Sequence, residues 1–323
     1  MRSHRITAAI TLALLAACDV SGPSQETGRV DLAGRPFGLA VSAAGVAYVT
    51  KFAANAVARM DLPGPEITAT VGVGAGPSSV TFNAAGNRAY VGNQRDGTVS
   101  VVDVGSNSVV GTLAFQGSVT GVAVAPGDTL LLVGTDAAKV YFVRLPSLAL
   151  VDSVALPEIA LSVYTNAMVS RDTLVYASCP FGGVMAIINL RTRQVVRTLN
   201  TGGTPQGMVL AAGGTQLYLA NEIGEVQVWD LATGTLKRAI ALPPGDSTTG
   251  VGGGGFGLAQ NPVSGLLFVS TSYYGRRVVV VDPAAGKVVR TIETGGVPRR
   301  LGFPSSSAVG VVANEFGWVD IIR

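Results

Sequence analysis

Histidine is almost missing from this chain: His4 is the only one, inside a basic stub at the start. Cysteine occurs twice, at Cys18 and Cys179, too seldom for a disulfide framework. Charged residues fill only 13% of 323 positions, with 23 basic against 20 acidic. That near-balance gives no electrostatic footprint for nucleic acid, so none is expected as a partner. Apolar runs after residue 17 are strand-length and bounded by Gly, Asp or Pro, which argues against a membrane-spanning helix there.

What is present begins with the stub, which carries Arg2 and Arg5. Residues 6–17 (ITAAITLALLAA) follow as an apolar run of twelve. A basic stub before a short apolar run is the pattern of an export signal, and twelve residues are too few to cross a bilayer as a helix. The run closes in Leu15-Ala16-Ala17-Cys18, which resembles the lipobox of bacterial lipoproteins. That resemblance implies cleavage before Cys18, a lipid on its sulfur and an acylated new N-terminus. Each buried methylene adds about 0.8 kcal/mol, so more than one chain anchors stably. The expected division is therefore a signal peptide over 1–17, a lipidated flexible tether over 18–27 and a folded domain over 28–323. The expected location is the bacterial envelope outside the cytoplasm, with the membrane reached through the lipid alone.

Loss of residues 1–17 takes His4, Arg2 and Arg5 away and leaves 21 basic against 20 acidic residues. Without histidine, a Ser-His-Asp triad and His-ligated zinc, copper or haem are excluded. Histidine-dependent quinoproteins and lactonases are disfavoured for the same reason. Cys179 has no histidine partner and reads as a small buried side chain.

Internal repetition is the strongest positive signal. An apolar quartet recurs, ending at Lys51 (YVTK), Asn93 (YVGN), Thr135 (LVGT), Cys179 (YASC), Asn221 (YLAN), Thr271 (FVST) and Asn314 (VVAN). The spacings are 42, 42, 44, 42, 50 and 43. A second run follows each quartet and ends at Asp61, Asp103, Arg144, Asn189, Asp230, Asp282 or Asp320, where a side chain that bonds its own backbone suits a turn. A third run follows in six repeats, and a short fourth precedes every quartet. Four short strands per repeat, with 42 glycines for turns, is the size of a propeller blade. The chain is therefore expected to be all-β, a seven-bladed β-propeller.

The quartets resemble the YVTN family of β-propeller repeat proteins, over roughly residues 28–323. Repeats three, four and six depart from the final Asn. The last repeat stops at Arg323 without an outer strand, and GRVDLAGRPFG (28–38) looks like the missing piece. An N-terminal strand is thus expected to complete the last blade and close the ring, which removes exposed sheet edges.

In propellers the loops between second and third strands share one face with the blade entries. On this face the candidate ligand contacts are Arg35, Arg95, Tyr164, Gln206, Glu222, Tyr273, Tyr274, Arg276, Arg299, Arg300 and Glu315. No catalytic residue and no cofactor are expected. As an alternative, Asn221, Glu222, Asn314 and Glu315 offer oxygen ligands for Ca2+. The Gly-rich stretch 243–257 lengthens repeat six; it lacks the Lys-Ser/Thr of a phosphate loop and reads as a lid or a tolerated insertion. The functional expectation is a monomeric, non-catalytic binding or scaffold lipoprotein that holds an envelope protein, peptide or glycan on one rim. The alternative is a metal-assisted hydrolase or lactonase-type enzyme.

Overall fold

Every apolar quartet lies on a strand flanked on both sides, as its two-faced hydrophobicity requires. The computed structural model describes residues 28–64, 66–156, 167–245, 253–272 and 275–323. Among these residues, the strands form seven four-stranded antiparallel sheets, and the only helical turns are Pro126–Asp128 and Pro180–Gly182. In the first sheet, spatial order follows chain order from inside to outside: Pro36–Val41, Val46–Lys51, Ala56–Asp61 and Ile67–Gly72. The next five sheets repeat this order.

The seventh sheet differs. It runs Pro298–Gly302, Gly310–Asn314, Trp318–Ile322, and its outer strand is Gly28–Asp31. Arg29 pairs with Asp320 and Val30 with Val319. The N-terminal strand therefore completes the last blade, as the sequence implied. Pro36–Val41 also packs on the inner strands at Pro77–Phe82 and Pro298–Gly302, so the ring closes.

No single core exists. Seven apolar clusters each fill one junction between neighbouring blades. The junction of blades one and seven packs Val49, Met60, Val311 and Ile321 around Leu32. Each fully buried Val, Leu or Met contributes roughly 1.5–3 kcal/mol. Arginines tie the rim between blades: Arg59 donates to the Val104 carbonyl at 2.8 Å, Arg197 to Thr233 at 2.8 Å and Arg238 to Ala284 at 3.2 Å.

Six of the seven expected turn residues end third strands. Asn189, Asp230 and Asp282 each accept backbone N–H groups two and three residues on. Asp320 does not belong with them. It lies within Trp318–Ile322, opposite Val312 and 2% exposed. Its distance from its quartet is four residues shorter than that of Asp61 or Asp103 from theirs, which places it mid-strand.

Candidate functional site

In six blades the residue after the quartet reaches back to the preceding blade entry; in the fourth that residue is Pro180, which has no N–H to donate. Backbone N–H groups run from Phe52 to the Arg35 carbonyl (3.1 Å), Gln94 to Gly76 (2.9 Å), Glu222 to Thr204 (3.1 Å) and Glu315 to Val297 (3.0 Å). The second-to-third-strand loops and the entries therefore share one face, as expected. The quartet asparagines hold this arrangement. Asn221 accepts from the Thr204 N–H at 2.8 Å and donates to Gly202, and Asn314 accepts from Val297 at 2.8 Å and donates to Gly295. Asn93 donates to Thr98 and Ser100 instead.

A second device aims side chains at the axis. Inner strands shift register as they enter the sheet, between Pro36 and Leu39, Pro205 and Met208, Gly255 and Leu258, and Pro298 and Leu301. Such bulges redirect side chains. Here they carry Phe37, Gln206, Phe256, Arg299 and Arg300. The third quartet residue fastens them: Thr50 accepts from the Gly38 N–H at 2.7 Å, Ser270 accepts from Gly257 at 2.8 Å, and Ser178 donates to the Gln206 carbonyl at 2.9 Å. Gly38 is needed because a Cβ there would stand 2.5 Å from the Ser78 carbonyl of the next inner strand.

These bulges converge on a cation–aromatic cluster at the channel mouth. Phe37 and Phe256 meet edge to face, centroids 6.0 Å apart. The Arg299 guanidinium lies over both rings, at 5.1 and 4.6 Å, and is 2% exposed. Its Nε stands 3.2 Å from Glu315 Oε1, an ion-pair contact without hydrogen-bond alignment. Arg35 reaches the same oxygen at 3.3 Å with its side chain 52% exposed. Phe52 joins from the first blade, with Arg35 over it at 5.4 Å and Arg95 at 4.7 Å. Arg300 lies over Phe256 at 4.9 Å and donates to its carbonyl. Cation–π contacts of this kind contribute about 0.5–2 kcal/mol each, more when dry.

Glu222 completes the group. Burial pushes its carboxyl above the usual range, while a Gln206 hydrogen bond and the charges of Arg299 and Arg300 oppose that rise. Beneath the mouth runs an axial cavity of about 160 Å³, lined by residues of all seven inner strands. Arg300 is the one charged residue among that lining.

Arg35, Arg95, Gln206, Glu222, Arg299, Arg300 and Glu315 are thus brought together. Arg276 is not among them: its carbonyl accepts the Thr294 and Gly295 N–H groups at the sixth blade. Tyr164, Tyr273, Tyr274, Cys18 and residues 246–252 of the 243–257 stretch lie outside the described residues. Phe52 carried no sequence signal except its position after a quartet, the place Glu222 and Glu315 also occupy.

Of the oxygens proposed for Ca2+, those of Asn221 and Asn314 accept backbone N–H groups, and Glu315 faces two arginines. No cluster of three or more His, Cys, Asp or Glu suited to a metal occurs among the described residues. Cys179 is buried, and desolvation pushes its thiol up to about 12, far from a reactive thiolate. The mouth offers fixed cations and aromatic faces, groups that bind anions and apolar side chains.

No family model matches the chain, and no curated protein matches it. The likeness to YVTN repeats therefore rests on the tetrapeptides. Solved structures match the fold throughout. Hydrazine synthase of Kuenenia stuttgartiensis superposes with TM-score 0.78 at 17% identity, over 91% of this chain and 96% of that one. The β-propeller domain of Cps50 (Swd1) from Myceliophteria thermophila gives 0.75 at 15%, over 91% and 97%. At such identities the likeness concerns the fold alone.

Proposed function

We propose that this β-propeller is a non-catalytic binding protein, held outside the bacterial cytoplasm by a lipid on Cys18, whose entry face holds an anionic protein, peptide or glycan. One observation carries the reading. Four arginines (Arg35, Arg95, Arg299 and Arg300) gather with three phenylalanines at the channel mouth, beside the carboxylates of Glu222 and Glu315. Fixed guanidinium groups favour carboxylates and other oxyanions, the rings beside them favour hydrocarbon, and the pairing suits recognition more than proton transfer.

The test compares the wild-type protein with an Arg35→Asn/Arg300→Ala double variant on arrays of acidic peptides and anionic oligosaccharides. Asn tolerates the left-handed backbone at position 35, where φ is 58°. Wild-type retention that weakens with salt and falls at least about tenfold in the variant supports the reading, since losing charge-assisted contacts costs about 1.5–3 kcal/mol. Equal retention by both proteins contradicts it. The anchor is tested separately: a palmitate analogue fed to cells labels the wild-type protein and leaves Cys18→Ser unlabelled.

A further inference from the structure

The entry face is divided into two sectors. Among the described residues, the second residue past a quartet is exposed on this face, and in blades one to three it is Ala53, Arg95 or Ala137. In blades four, five and seven it is Phe181, Ile223 or Phe316, exposed to 62%, 60% and 68%. Single exposed apolar residues are ordinary, but three large ones at one register position on one face form a patterned surface. Phe316 packs against Trp318, edge to face at 6.2 Å.

The adjoining sector is cationic. Arg35 and Arg95 flank Phe52, and Arg300 stands beside the axis. Nearby carboxylates are engaged within the protein: Asp96 accepts the Ala75 N–H, Asp136 accepts the Ser118 N–H at 2.7 Å, and Glu315 faces Arg299 and Arg35. Positive charge is thus presented next to an arc of hydrocarbon.

We infer that the occupant of this face is an acidic protein segment bearing large apolar side chains. It lies across the mouth with carboxylates over Arg35 and Arg300 and apolar side chains on Phe181, Ile223 and Phe316. Charge complementarity selects the acidic character. The aliphatic Ile223 and outward Phe181 select a peptide, because a glycan gains little from isolated hydrocarbon away from the arginines. The inference rests on the binding reading above and narrows its ligand to one class.

Fluorescence polarisation with four pools of labelled 15-residue peptides tests it: acidic with apolar residues, acidic with polar residues, basic with apolar residues, and neutral polar. The acidic, apolar-rich pool should bind tightest. A Phe181→Ser/Ile223→Ser/Phe316→Ser variant, altered only at exposed positions and checked for an unchanged melting transition, should bind it at least tenfold more weakly. Arg35→Asn should flatten the dependence of affinity on salt. Equal affinity for all pools, or full affinity in the serine variant, overturns the inference. Retention of anionic oligosaccharides alone, lost in Arg35→Asn/Arg300→Ala but not in the serine variant, overturns it while leaving the binding function standing. Binding of neither peptides nor oligosaccharides overturns both.

Discussion

Asp320 shows how much one side chain can depend on its strand position. Desolvation pushes its carboxyl up to about 6, against hydrogen bonds from Asn314 and Trp318 and the charge of Arg29. The Arg29 guanidinium, 3.9 Å away, also covers the Trp318 ring at 3.8 Å. A carboxyl whose pKa is raised in the folded state binds its proton more tightly there than in the unfolded chain. Stability from this group is therefore fully present below about 4 and lost as pH rises through about 6. The loss is at most about 3 kcal/mol. Melting curves should show a larger drop between pH 5 and pH 7.5 in the wild type than in Asp320→Asn; equal drops would refute this assignment. The sequence presented Asp320 as one more turn residue, because periodicity alone cannot tell a strand end from a strand middle when the repeat is cut short. The same limit applies to Arg299. A charged residue is rarely buried, and only the bulge at the end of a closed ring places it between two phenylalanines.

At the scale of the element, the quartets and turn residues marked second strands and third-strand ends almost to the residue, since burial on both faces and Asx turns leave local traces. The inner-strand bulges left little. Their cause is long-range: neighbouring inner strands approach at the axis until only a hydrogen fits. Gly38→Ala should cost about 1–3 kcal/mol in a denaturant titration, because its methyl group meets backbone that cannot move aside. Gly72→Ala, with nothing within 4 Å, should be neutral or slightly stabilising. Equal effects would show that the close approach does not constrain the ring. The asparagines illustrate the other gap. Asn221 and Asn314 offered oxygens to a metal in the sequence, yet their partners are N–H groups seventeen residues upstream, beyond any local signal.

For the whole molecule, closure is the feature the sequence displayed most openly, through a missing final strand and a spare first one. Deleting residues 28–33 would leave Trp318–Ile322 as an unpaired edge and remove Leu32 from the junction of blades one and seven. The unfolding transition should broaden and shift to lower denaturant; an unchanged transition would mean that the ring does not need its seam. Closure also fixes the functional face, because cations from blades seven, one and two converge only when the first and last blades are joined. Hydrogen exchange, measured with and without the acidic, apolar-rich peptide pool, tests that face most directly. Protection should rise in the loops at 52–55, 94–97, 180–183, 222–224 and 315–317 and stay unchanged in the turns at 104–107, 231–234 and 283–286. Protection confined to those turns would contradict a binding role for the arginine-lined mouth.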